Sequence, residues 1–393
     1  MKRSDLDRII WEMLKAYPRI SDLNFTVGRP LQVATDGRLK AVPFALDTQT
    51  LTPFQTEQIA FNIIGDNRRL LTDLARTGSC DLSYALPAGP RFRVNIFLQR
   101  ASFSIVMRQL SNQVPTIDDL RLPESFKLMA KEKNGIVFFT GATGTGKTTS
   151  LAAILDFINN TDEIHIVTLE DPIEFVHKHK KSTFNQREMG RDFDRFSSGL
   201  RAALRQAPQV ILVGEIRDRE TIEIAMNAAE TGHLVFSTLH TVSAAHTINR
   251  VIGMFDKDEE RQARERLAAT IKWNVGQRLL PKVGGGRVAI FDIMFNNMRV
   301  TDSILNGESE GKTFYDIMDQ GQAYNMWTFD QNILKIFAEG AISEDTAMTY
   351  ASSKAKVRQG IDYIKSQKGE KTYDLKGLTL EDSFDSFQAM KKY

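Results

Sequence analysis

Cysteine is almost missing from this 393-residue sequence, with Cys80 as its single representative. One thiol excludes an internal disulfide framework and every structural zinc site built on two or more thiolates. An excess of one charge is missing too: 51 Lys and Arg stand against 49 Asp and Glu, for a formal net charge of +2. That balance disfavours a dedicated nucleic-acid binder, although a local basic patch fits within it. No run of about 18 apolar residues occurs. The opening MKRSDLDRIIWEMLKAY carries charges where an export signal needs an unbroken apolar stretch. The expectation is a soluble, unexported chain. With 42% hydrophobic and 25% charged residues, the disordered, collagen-like and coiled-coil classes are disfavoured. What remains is apolar material for a sizeable core in a chain long enough for two or three units.

The first third mixes a helix-like start with short alternating segments. Asp22–Val27, then Leu31–Val33 and the turn Asp36-Gly37 suggest a small β-meander, and Leu51–Leu71 is apolar at helical spacing. From Arg91 the alternation puts Arg91, Arg93 and Asn95 on one side of a strand and Phe92, Val94 and Ile96 on the other. The reading is a β-rich α+β domain over 1–112. The stretch from Ser111 to Pro123, with two prolines and little periodicity, reads as a linker over 113–123. Four apolar runs follow, Gly135–Thr140, His165–Leu169, Val210–Val213 and Leu234–Thr238, separated by amphipathic helical stretches. That is the pattern of a doubly wound α/β domain with a parallel sheet, placed at 124–291. Residues 292–367 read as helical and 368–393 as a charged, poorly ordered tail.

Gly141-Ala142-Thr143-Gly144-Thr145-Gly146-Lys147-Thr148 fits G-x-x-x-x-G-K-[ST] at every fixed position. It follows an apolar strand and opens, at Thr149, an apolar helix. Glycines let backbone N–H groups converge on phosphate oxygens, and the positive end of the helix dipole adds to them. Lys147 is placed to reach the β- and γ-phosphates, and Thr148 to put its hydroxyl on Mg²⁺. Nucleotide binding is the reading; a glycine-rich turn ending in Lys-Thr is the bland alternative.

Glu215 ends the apolar run Val210–Val213 after Gly214, and a carboxylate there can orient or deprotonate an attacking water. Gly214 stands where many P-loop proteins have a Mg²⁺-binding aspartate. The metal must therefore lean on Thr148, phosphates, waters and another carboxylate. Glu170-Asp171-Pro172-Ile173-Glu174 supplies candidates at the exit of the preceding strand, with Glu170 one step removed from the metal. A plain turn is the alternative there. His240 sits at the C-terminal tip of the run from Leu234, where open α/β sheets bind ligands. His233, at its other end, reads as structural or as a subunit contact. His177-Lys178-His179-Lys180-Lys181 reads as a solvated basic face.

Taken together, GATGTGKT, LEDPIEFVH, QREMGRDFDRFSSGLRAALRQAPQVILVGEIRDRET and AETGHLVFSTLHT resemble the Walker A, Asp box, Walker B and His box of the type II/IV secretion ATPase superfamily. Within it the sequence is most similar to type IV pilus retraction ATPases of the PilT/PilU kind. The resemblance implies a PAS-like N-terminal domain, a RecA-like P-loop ATPase domain with a helical C-terminal extension, and a cytoplasmic homo-hexamer. Such a ring lies at the inner face of the membrane, hydrolyses ATP with Mg²⁺ and acts on the pilus platform protein, with no nucleic-acid partner. It makes Glu215 the catalytic glutamate, Glu174 the acidic-box partner and His240 the residue near the γ-phosphate. It also makes Arg91 and Arg93 phosphate-reaching arginines, with Arg108 a weaker third. Extension and type II secretion motors carry a four-cysteine zinc element that this chain lacks, so the resemblance favours retraction. GATGTGKT and VPTIDDLRLP resemble the PilU type, and RVTDSILN stands where the PilT type has a motif of the form AIRNLIRE. An accessory motor beside a PilT-type partner is therefore implied. A low-turnover scaffold ring, the motor of another secretion system, a nucleic-acid translocase and a metabolite kinase are the other readings.

Overall fold

The computed structural model describes residues 1–43, 50–87, 89–110 and 113–369. The chain forms two compact units, one of Met1–Arg278 with Asp292–Met326 and the other of Leu279–Phe291 with the chain from Trp327 on.

The first unit opens with helix α1 (Arg3–Lys15), whose Leu6, Ile10 and Met13 fall on one face and are fully buried. Strands β1 (Ile20–Thr26), β2 (Gln32–Thr35) and β3 (Arg38–Ala41) form the meander, and Gly37 takes a φ of +76° in its turn. The stretch from Leu51 to Leu71 is two helices rather than one, α2 (Pro53–Ile64) and α3 (Arg68–Thr77). Thr52 and Gln55 cap α2 reciprocally, Gly65 at φ +59° ends it, and Asn67 caps α3 by accepting from the Leu70 N–H. Strands β4 (Ser79–Ala85), β5 (Arg91–Gln99) and β6 (Ser102–Gln109) complete an antiparallel sheet of order β3-β2-β1-β6-β5-β4. The alternation in β5 is as its sequence demands: Phe92, Val94 and Ile96 are buried with Leu23, Phe25 and Met107, while Arg91, Arg93 and Asn95 face away.

After α4 (Ser125–Ala130) the chain enters a seven-stranded sheet. Its strands are β7 (Gly135–Thr140), β8 (His165–Glu170), β9 (Thr183–Glu188), β10 (Val210–Val213), β11 (Leu234–Leu239), β12 (Ile271–Pro281) and β13 (Arg287–Phe295), in the order β13-β12-β7-β11-β10-β8-β9. Every residue of β7, β10 and β11 is buried, as expected of parallel strands covered on both faces. The covering helices include α5 (Lys147–Thr161), α6 (Phe196–Ala203), α7 (Arg219–Glu230), α8 (Ala244–Ile252) and α9 (Glu260–Thr270). Three strands escape the sequence reading. β9 is polar, reading TFNQRE, and β12 and β13 carry Lys272, Gln277, Arg278 and Asp292 among their apolar residues. Helical structure resumes only at α10 (Met298–Asn306) and α11 (Phe314–Asp319), so the expected change at Asp292 falls inside β13.

The second unit packs Leu280 and Ile290 with Phe329, Ile333, Val357 and Ile361 of α12 (Phe329–Ala338), α13 (Glu344–Tyr350) and α14 (Lys354–Gln367). Buried Asp330 accepts from the Ser352 and Ser353 N–H groups at 2.7 and 2.8 Å, which fixes the entry to α14. The expected tail lies, from residue 370 on, outside the described residues. None of the described helices is long and apolar enough to cross a membrane.

Candidate nucleotide-binding and catalytic site

Strand order decides which side chains meet. β7, β11, β10 and β8 lie side by side and parallel, with Val213 level with Ser237 on one flank and Leu169 on the other. Their C-terminal ends therefore share one edge. That edge carries the glycine-rich loop after β7, His240 after β11, Glu215 after β10, and Glu170–Glu174 from the end of β8. Residues scattered over a hundred positions of sequence become neighbours for this topological reason.

The loop Gly141–Gly146 turns through positive φ at Gly141 (+142°), Gly144 (+81°) and Gly146 (+89°). At Gly141 a Cβ would stand 2.5 Å from the Gln277 carbonyl oxygen and 2.9 Å from Thr145 Oγ1, so only glycine fits. Ala142, Thr143 and Gly144 are exposed at the loop's tip, and Thr145 Oγ1 closes it by donating to the Ala142 carbonyl at 2.9 Å. Gly146 begins α5 without a side-chain cap, which leaves the helix's first N–H groups, from Lys147, Thr148 and Thr149, available to an anion. Lys147 is buried, and its Nζ donates to the Gly141 and Ala142 carbonyls at 2.7 and 3.0 Å. Burial lowers its pKa, while the charges of Glu215 and Glu174 oppose the shift. A loop holding its own lysine this way is folded round the space a phosphate fills.

Glu215 is largely buried, and its Oε2 is met by Arg217 Nε at 2.7 Å and by His240 Nε2 at 3.5 Å. His240 and Glu215 are thus brought together, with His240 half-exposed. Gly214 explains the missing aspartate. A Cβ there would lie 3.0 Å from the Leu169 carbonyl oxygen and 3.4 Å from Glu170 Cα, because β10 and β8 approach closely at this point. His233, at the far end of β11, is occupied structurally, its Nδ1 lying 3.0 Å from the Ala228 carbonyl oxygen.

Burial raises the pKa of Glu174, and Arg93, the Thr148 hydroxyl and Lys147 pull it back. Glu174 is therefore a carboxylate beside the cradle, next to the hydroxyl that a P-loop offers to a divalent cation. Thr148 and Glu174 are oxygen donors suited to a hard ion such as Mg²⁺. Glu170 faces elsewhere. Its Oε1 accepts from Thr168 Oγ1 at 2.6 Å and Gln186 Nε2 at 3.0 Å, and burial lifts its pKa to about 7. These two donors hold it inward.

Arg93 lies within electrostatic reach of Glu174. Arg91 does not have the free guanidinium expected of a phosphate-reaching group. Its Nη1 donates to the Ile173 carbonyl at 3.1 Å and its Nη2 lies 3.7 Å from Glu188 Oε2. Arg108, level with Arg93 on the neighbouring strand, pairs with Asp22 of β1 at 2.8 Å.

Of the basic run His177–Lys181, the last four residues are exposed as expected and His177 is not. His177 is buried, stacks on Phe184 with ring centroids 4.3 Å apart, and has its pKa pushed down to about 4 by burial. Lys180 donates to both oxygens of buried Asp156 at 2.8 Å, and Asn159 Nδ2 donates to the Lys178 carbonyl at 2.8 Å. Asp156 and Asn159 belong to α5, so the run clasps the acidic loop to the helix that the cradle begins. Gln186 completes the hold. Its Nε2 reaches both Glu170 and the Phe175 carbonyl (2.8 Å), and its Oε1 accepts from the His177 N–H (2.8 Å). Gln186, Glu188 and Arg217 escape a reading by motif, the first two because β9 carries no apolar signal.

A model of the family described as "Type II/IV secretion system protein" matches residues 85–361. The chain is 41% identical over 330 residues to the Pseudomonas aeruginosa protein named type IV pilus retraction ATPase PilT, covering 83% of this chain and 93% of that one. To the type IV pilus ATPase PilU of the same organism it is 36% identical over 364 residues, covering 92% and 93%. Among solved structures, the pilus retraction motor PilT with bound ADP superposes with a TM-score of 0.80 at 38% identity, covering 91% of this chain and 99% of that one. Matched over most of its length, and with the cradle and carboxylates assembled at one sheet edge, the chain belongs to the type II/IV secretion ATPase family.

Proposed function

We propose that this chain is an ATP-hydrolysing motor that powers type IV pilus retraction. The observation that carries it is the shared edge: a phosphate cradle with its buried lysine, and Glu215 and Glu174 both within the field of that lysine. Lys147 leaves its own loop carbonyls to meet phosphate oxygens. Glu215, its oxygen steadied by Arg217 and His240, accepts the proton of the attacking water. Thr148 and Glu174 would hold Mg²⁺, which when bound would supply positive charge against the phosphates. Arg93 adds permanent positive charge beside Glu174.

The similarity to PilT and PilU supports retraction as the work done, and also a homo-hexameric ring on the cytoplasmic side of the membrane, acting on the pilus platform protein. The match to PilU across 92% of the chain, with RVTDSILN in α10, supports an accessory motor beside a PilT-type partner.

The test is twofold. Purified protein hydrolyses ATP in the presence of Mg²⁺, and Glu215→Gln loses turnover by about a hundred-fold or more while still binding ADP. In cells deleted for their retraction motors, the chain restores retraction together with a PilT-type partner and not by itself. Undiminished turnover by Glu215→Gln defeats the assignment of the base, and retraction by the chain alone defeats the accessory role.

A further inference from the structure

Glu188 ends β9 with a carboxylate buried to 8% exposure, and all its partners lie on two segments. Oε1 accepts from Ser83 Oγ of β4 at 2.6 Å. Oε2 accepts from the Ile173 N–H at 3.2 Å and faces Arg91 Nη2 of β5 at 3.7 Å. Arg91 in turn donates to the Ile173 carbonyl at 3.1 Å. The backbone of Ile173 is thus gripped from both sides, its N–H by Glu188 and its carbonyl by Arg91. Ile173 immediately precedes Glu174. A second contact lies just beyond, where Gly190 at φ +82° leaves room for the Arg69 guanidinium of α3. A Cβ there would stand 1.8 Å from Arg69 Nη2.

We propose that Arg91 and Glu188 are positioning residues that clamp the Ile173 backbone, so that the N-terminal α+β domain sets where Glu174 stands against Thr148. Arg91 then acts on the acidic loop and not on a phosphate. Both members are needed: a buried carboxylate needs a permanent cation beside it, and a bare guanidinium would hold only one side of Ile173. The clamp links the two parts of this unit by charge-assisted hydrogen bonds, the strong kind. Any displacement of the N-terminal strands therefore moves the residue beside the catalytic hydroxyl. The inference rests on the assignment of Glu174 to the nucleotide site.

The test uses the full chain, steady-state ATP hydrolysis, and titration with a fluorescent ADP analogue. Arg91→Ala and Glu188→Ala are each expected to lower kcat by about ten-fold to a hundred-fold, with KM for ATP and the ADP-analogue affinity within about two-fold of the parent. The double variant loses no more than the worse single one, since both changes open the same clamp. Glu188→Gln keeps acceptors for Ile173 and Ser83 but loses the ion pair. It falls between parent and Glu188→Ala, and it serves alone if the alanine variant fails to fold. The proposal is overturned if Arg91→Ala raises KM or weakens ADP binding, if the two losses multiply, or if neither Glu188 variant changes kcat. Glu174→Gln run alongside separates the two levels: if it retains full turnover the assignment of Glu174 to the nucleotide site has failed, whatever the clamp variants do.

Discussion

Replacing Glu170 by glutamine isolates one buried carboxyl whose effect on stability has a definite sign. The group is fully enclosed and its pKa is lifted from 4.5 to about 7, chiefly by burial and against the pull of the Thr168 and Gln186 hydrogen bonds. A raised value means that the folded chain holds the proton more tightly than the unfolded one. Stability from this group is complete below pH 4.5 and drains away as the pH rises through 7. With one pKa unit equal to about 1.36 kcal/mol, the loss between pH 5 and pH 8 is about 2 to 3 kcal/mol. Glutamine keeps a carbonyl oxygen for both donors and cannot ionise, so the variant lacks this slope. The assay is urea unfolding of parent and variant at pH 5, 6, 7 and 8, followed through tryptophan fluorescence, to which Trp273 of the same sheet contributes beside Trp11 and Trp327. Taking the difference at each pH removes every titration common to both proteins. The variant should gain on the parent by about 2 to 3 kcal/mol across that range. A difference that stays constant, or falls with pH, would falsify the account of Glu170 as a proton-holding group.

Three further outcomes follow from the geometry. Gly141→Ala forces a Cβ to within 2.5 Å of the Gln277 carbonyl oxygen and strains a φ of +142°, so ADP affinity should weaken by about thirty-fold and the unfolding midpoint should fall as well. Unaltered affinity would mean that the loop relaxes without cost. Asp156→Ala removes the acceptor for Lys180; His177 is neutral at pH 7 and Lys180 can turn to water, so urea unfolding should register a loss of about 2 kcal/mol rather than the larger cost of a stranded buried charge. A loss below about 0.5 kcal/mol would show that the clasp on α5 contributes nothing. Arg217→Ala removes a well-exposed partner of Glu215, and because exposed pairs contribute little, kcat should change by less than about five-fold in either direction. A loss of a hundred-fold, measured at saturating ATP, would instead make Arg217 a group that touches the phosphates.

Much of this site was legible because its chemistry needs short, local signals. A phosphate cradle must be glycine-rich and must join a strand to a helix, and Gly141–Thr148 says so without help from the rest of the chain. Glu215 and His240 were readable because each closes an apolar run, and a polar residue at such a strand tip lies at the ligand-binding edge. What stayed hidden was pairing. Whether Arg91 meets a phosphate or Glu188 depends on where β9 lies, and β9 is a polar edge strand with no apolar period to announce it. The run His177–Lys181 is exposed from Lys178 on, as its charge suggests, but the burial of His177 and the tie to Asp156 and Asn159, about twenty residues earlier on α5, were hidden for the same reason. Glu170 and Glu174 look alike on paper and are separated only by the fold, which turns one inward to Thr168 and Gln186 and the other toward Thr148. The boundary expected at Asp292 failed because β12 and β13, with charged residues among their apolar ones, do not advertise themselves as strands.

Gly214 has a bearing on how such a site can change over time. The backbone of β8 lies so near that a Cβ at this position would stand 3.0 Å from the Leu169 carbonyl oxygen, close enough that β8 must give by a few tenths of an ångström. A substitution to aspartate therefore begins with a cost in strand spacing, and a ligand gained there has to outweigh it. On the proposed reading, the loop that leaves β8 can change its carboxylates without meeting that cost, so a change of metal preference has an easier route through the loop than through the strand tip.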